Sequence, residues 1–198
     1  MTIRRPRVWP AREPVWANRR RHLHDLGAVA AAAIAALVVM AAPGSAQVVT
    51  EPALKAAYIY NFAKFTEWPA GAVPAGQPLK MCVIGDQAVE AELARTVKNR
   101  ELAGHKMLVS RLPLTGSPET CHILYVSGVT SDQAAHAIAA LADTPVLTLS
   151  DVDGFTEHGG IARFFFERGR LCFDVDIPAV KRARLLISSR LLTMAKKQ

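Results

Sequence analysis

The sequence predicts an α/β fold, a three-layer sandwich on a mostly parallel sheet that ends in an antiparallel hairpin. Three observations predict it. Leu79 to Ile84, Cys121 to Val126 and Pro145 to Leu149 are short apolar runs with no polar alternation, the pattern of strands covered on both faces. Helical patterns lie between them, and strands alternating with helices favour a parallel sheet. Near the C-terminus, Ile161 to Glu167 and Arg170 to Val175 flank Arg168-Gly169, a hairpin signal. Strand order does not follow from these patterns.

The first helix of the folded part is read from KAAYIYNFAKFTEWP, Lys55 to Pro69. Leu54, Tyr58, Phe62 and Phe65 recur at steps of four, four and three, one stripe of a 3.6-residue helix. Asn61, Lys64 and Glu67 leave a polar side. Thr50 is the expected N-cap, Pro52 sits in the first turn and Pro69 ends the helix. Breakers at Gly71, Pro74, Gly76 and Pro78 make 70–78 a loop. After the strand at 79–84, Gln87 to Lys98 carries Val89, Leu93 and Val97 at helical spacing. Lys106 to Leu112 alternates weakly and reads as a strand, and 113–120 is a loop. Ser131-Asp132 caps a helix to about Leu141 with Ala135, Ile138 and Ala139 inward. Asp151 to Gly160 is a glycine-containing loop. Pro178 opens a last helix in which Val180, Leu185 and Leu186 point inward, ending at Leu191-Leu192.

Ahead of all this, residues 1–46 read as a signal peptide. Seven arginines from Arg4 to Arg21 precede the apolar run Leu26 to Ala42, and Gly44-Ser45-Ala46 supplies the small residues of a cleavage site before Gln47. The run is short and alanine-rich for a membrane span. Its removal changes the charge argument. The full chain carries 24 Lys+Arg against 17 Asp+Glu, net +7. The leader's seven Arg against Glu13 and Asp25 account for +5 of that, leaving +2 on residues 47–198. No nucleic-acid motif accompanies the basic balance, and Lys181, Arg182, Arg184 and Arg190 fit the wet face of a helix, so nucleic acid is not an expected partner. The remaining length is that of a single domain.

Candidate chemistry is sparse. An exported chain meets an oxidising compartment, so Cys82 and Cys121 are either bridged or packed as small buried thiols. A bridge would close a loop worth roughly 4 kcal/mol in chain entropy. Cys172 has no obvious partner. His105, His122 and His158 show no metal-ligand spacing, and Cys121 and His122 are adjacent on a strand and point apart. No metal and no cofactor is expected. Asp151, Asp153, Glu157 and His158 share a loop after a buried strand, where open α/β sheets bind ligands, which makes Asp151 and His158 candidate ligand-binding residues. The rival explanation is that Asp and Gly are ordinary loop residues. No nucleophile elbow or phosphate loop is present, so no enzymatic activity is expected. Phe164, Phe166 and Phe173 on the hairpin are candidate partner-binding residues if one face of an edge hairpin is exposed.

Read in order, KAAYIYNFAKFTEWP, MCVIGD, CHILYVS, LTLSDVDGFTEHGGIARFF and LLISSRLL resemble the YfiR/HmsC family of bacterial periplasmic proteins. The resemblance implies a non-catalytic α/β domain in the periplasm that represses a membrane-bound diguanylate cyclase through that enzyme's periplasmic region. It would thereby lower cyclic di-GMP and restrain biofilm and exopolysaccharide output. A lipoprotein of the outer envelope that sequesters the repressor, and a homodimer, are also implied. Cys82 and Cys121 match the family's disulfide-forming positions, while Cys172 alone cannot make the second bridge found in some members. Two rival functions stand beside this one: a periplasmic small-molecule sensor built on the 151–160 loop, and a hydrolase of unrecognised type.

Overall fold

Thr50 accepts a hydrogen bond from the Ala53 amide at 3.4 Å and Pro52 lies in the first turn, so helix α1 (Glu51–Lys64) starts where cap and proline place it. In this computed structural model, which describes residues 49–196, the helix stops at Phe65, well before Pro69. The chain then turns into strand β1 (Thr66–Glu67). The expected signal peptide and its cleavage site lie outside the described residues. The buried face of α1 is Lys55, Ala56, Ile59, Phe62 and Ala63, with Leu54, Tyr58 and Phe65 partly buried beside it. Leu54, Tyr58 and Phe65 mark the rim of that arc, and Ile59 and Phe62 fill its centre. Alanines, having only a Cβ, let the helix lie closest to the sheet.

The other elements follow in order: β2 (Leu79–Ile84), α2 (Gln87–Val97), β3 (Glu101–Leu102), β4 (His105–Arg111), β5 (Ile123–Val126), α3 (Ser131–Ile138), β6 (Leu147–Ser150), β7 (Ala162–Glu167), β8 (Arg170–Val175), α4 (Ile177–Arg182), β9 (Leu186–Ile187) and α5 (Ser189–Leu192). Seven strands form one sheet in the order β3-β4-β2-β5-β6-β7-β8. The pairs from β4 through β7 are parallel. The edge pairs β3–β4 and β7–β8 are antiparallel. The expected mixed sheet and terminal hairpin are both present.

Period-2 alternation divides the strand residues between two cores. Met81, Val83, Ile123, Tyr125, Leu147 and Leu149 face α1, α2 and α4. Cys82, Ile84, Leu124 and Val126 face α3 and Phe155. On the first side the rings of Tyr58, Phe62, Tyr125, Phe164 and Phe173 pack with centroids 5.0–6.2 Å apart. The turn after β2 packs directly on the turn after β5. Gly85 has φ +91°, and a Cβ there would sit 1.8 Å from the Ser127 carbonyl oxygen, so no other residue fits.

Two local expectations are corrected. Helix α3 is capped by Thr130 in a capping box with Gln133. That phase turns Ala134, Ala137 and Ile138 inward in place of Ala135 and Ala139. The C-terminal helix is two short helices split by β9. Arg184, in the left-handed region at φ 56°, follows α4, and Leu186 pairs with Glu67 of β1 and is 68% exposed. Strand β1 needs a main-chain partner, and that demand overrides the helical apolar spacing of Leu185 and Leu186.

Candidate functional site

Ser127 follows β5 and Asp151 follows β6, at the carboxyl ends of adjacent parallel strands, the usual ligand position of an open α/β sheet. Here the position is filled from within. Asp151 Oδ2 accepts from Ser127 Oγ at 2.9 Å and from Lys55 Nζ at 2.5 Å. The same ammonium reaches Glu51 Oε1 at 2.5 Å. Lys55 is only 7% exposed. Burial works to lower its pKa, but the hydrogen bonds to Asp151 and Glu51 and their charges outweigh it and the pKa is raised above 10.5. Beneath this group the Tyr125 hydroxyl is buried with no hydrogen-bond partner among the described residues. Burial first, and the Asp151 charge second, push its pKa upward. Chemically the cluster is a lock: it fixes the first turn of α1 to the sheet and leaves Asp151 Oδ2 fully engaged.

His158 does not join it. Its exposed ring lines a cleft of about 90 Å³ with Gly159 and Arg182, which does not include Asp151. Asp153 turns to Arg163 at 2.8 Å, and Arg163 also reaches the buried Asp174 at 2.9 Å, tying the loop to the hairpin. The two candidate ligand residues therefore belong to different places.

The hairpin expectation also changes. Phe164 is fully buried and Phe173 is 3% exposed, both in the aromatic cluster under α1, so neither ring is available to a partner. Phe166, two residues beyond Phe164 on the same face and opposite the buried Leu171, is 47% exposed. One ring is not a docking patch.

Cys82 and Cys121 are bonded to each other, with Cα atoms 6.0 Å apart, and both are buried. The bridge clips β2 to the segment entering β5. Cys172 is free and half-buried. The residue after Cys121 adds a second clip. His122 Nδ1 accepts from the Lys80 amide at 2.9 Å, which leaves Nε2–H to donate to the Ala72 carbonyl at 3.2 Å. The Trp68 indole donates to the His122 carbonyl at 3.3 Å. Burial holds the His122 pKa below 6.5 against the opposing pull of the Ala72 carbonyl. A depressed folded-state pKa contributes stability above pH 6.5 that disappears as pH falls through the folded value. The expected result is a urea midpoint that drops on acidification below pH 6.5 in wild type and drops less in His122→Ala.

Sequence reading missed Lys55, Ser127 and Thr66. The signal for Lys55 was present: a lysine four residues after Glu51 and in register with Ala56, Ile59 and Phe62 is a buried ion-pair candidate. Thr66 lines a cleft of about 460 Å³ with Trp68, Leu79, Leu102 and His105, and its buried hydroxyl has no partner among the described residues. Its signal lay in the β1–β9 pairing, which leaves no pattern in sequence. Among the described residues no three of His, Cys, Asp and Glu converge to hold a metal ion, and no helix is long and apolar enough to cross a membrane.

A family model described as YfiR/HmsC-like matches residues 52–196, from the first turn of α1 to the last described residue. No curated protein matches the chain.

Proposed function

The chain belongs to the YfiR/HmsC-like family, and from that premise we propose that it is a non-enzymatic periplasmic regulator that holds an inner-membrane diguanylate cyclase inactive and so lowers cyclic di-GMP. The family match over 52–196 carries the reading. The Cys82–Cys121 bridge supports it, because such a bond persists in an oxidising compartment. The leader read at residues 1–46 would deliver the remaining single domain there. A repressor of this kind must bind the inactive cyclase more tightly than the active one. Turning a population from 99:1 to 1:99 takes about 5.5 kcal/mol of differential affinity.

The test is a deletion strain complemented with the full chain or with residues 47–198 lacking the leader. Cyclic di-GMP is expected to rise on deletion and to fall only with the exported form. Levels that never change across growth conditions, or that the leaderless form restores equally, would remove this reading. The Thr66 cleft favours a second one, a small-molecule sensor, in a different place from the 151–160 loop. That function predicts a saturable ligand that raises the melting temperature.

A further inference from the structure

The two edges of the sheet differ. At β8 the outer carbonyls are taken: Leu171 accepts from the Tyr58 hydroxyl at 3.0 Å, and Phe173 accepts from the Lys196 amide at 2.8 Å. At the opposite edge, the two-residue β3 covers only His105 and Lys106 of β4. The bond from the Leu112 amide to the Val83 carbonyl, 2.9 Å, sets the phase of the rest. Alternate residues of a strand turn their main-chain groups to the same side. Ser110 and Leu108 therefore face β2, and Met107, Val109 and Arg111 present N–H and C=O outward. Among the described residues nothing bonds to those outward groups. An uncovered edge of this length is a template for another strand.

The surroundings say what kind of strand. Leu108 on this edge is 51% exposed. Beside β4, under the C-terminal end of α2, runs a groove of about 560 Å³ with an apolar floor of Val97, Met107 and Val109. Lys98, Arg100 and Lys106 line it against a single acid, Glu101. Nearby Arg95 and Arg111 are paired with Glu92 and Glu90, whereas these three cations have no carboxylate partner among the described residues. A second copy of the chain would set cation against cation here. An acid-bearing segment is the complement.

We propose that the Met107–Arg111 edge receives an extended, acidic segment of the regulated cyclase's periplasmic region as an added strand. The inference rests on the regulatory reading above and supplies its contact. Main-chain hydrogen bonds would give the affinity and the basic groove the choice of partner.

The experiment titrates the exported protein, purified from the envelope fraction, with the purified periplasmic region of the cyclase. Val109→Pro removes an outward donor and no bond of the sheet itself. Lys98→Glu/Lys106→Glu reverses two exposed charges. Each is expected to weaken binding about tenfold or more with the melting temperature unchanged, and the charge-reversed form should lose the wild type's salt dependence. Phe166→Glu, four strands away or roughly 20 Å, should bind as wild type does. Normal binding by both edge variants overturns the proposal while the regulatory reading stands, leaving the lysines as guards against self-association. Loss of binding in Phe166→Glu alone moves the contact to the hairpin and also overturns it. No binding by the wild type removes both readings together.

Discussion

Replacing Cys82 and Cys121 together by alanine is expected to lower stability by about 4 kcal/mol, a fall in melting temperature on the order of 10 °C for a domain of this size. The bridge joins residues 39 apart, closing a loop that holds α2, β3, β4 and the turn into β5. Without it, the unfolded chain regains that loop's freedom while the folded state keeps nearly the same packing, because both side chains sit in the α3-side core. Wild type in reductant should show the same loss, and the double variant should be insensitive to reductant. Cys172→Ala, which breaks no bond, should melt close to wild type. A wild type whose melting temperature ignores full reduction would refute the account.

Asp151→Ala is expected to cost about 3 kcal/mol, since it strands the ammonium of Lys55 at a site where the side chain is 8% exposed. Glu51 remains, but it is more than half exposed and holds the ammonium only from the solvent side. The double replacement Lys55→Met/Asp151→Leu should recover much of the loss, because no charge is then left without its partner. The pH dependence follows from the raised pKa of Lys55. A group whose pKa is higher folded than unfolded contributes fully below pH 10.5 and loses that contribution as pH climbs through the folded value. Urea midpoints measured on either side of pH 10.5 should fall for wild type and fall less for Asp151→Ala. Identical slopes would mean that the pair does not hold α1.

The layered fold was legible because its signals are local. The apolar runs at 79–84 and 121–126, the Val89-Leu93-Val97 stripe and the Arg168-Gly169 turn each speak within a few residues; three lie where expected, and the second strand begins at Ile123, two residues later than its run. What the sequence hid is non-local. Strands β1 and β9 are two residues each and lie 119 positions apart or more, so neither has a pattern of its own. The Lys55–Asp151 pair spans 96 residues, and each member alone reads as an exposed charge. The hairpin phenylalanines were placed on the right strands, but which stretch of a face is covered depends on what packs above it. The same limit explains Asp151 and His158. Loop membership put them together, and the direction of each side chain took them apart.

The position of the bridge also matters for how such a chain is made. A protein threaded through a membrane N-terminus first shows its thiols to the oxidant one after another. On the export route proposed above, Cys82 would emerge first, then Cys121, with Cys172 following only after a further 51 residues. The first two thiols to meet are the native pair. A bond formed greedily between them is already correct, so maturation calls for oxidation and not for the slower thiolate exchange that repairs a wrong partner. By the time Cys172 arrives no reactive companion remains, and β8 can pair with β7 around an unmodified thiol.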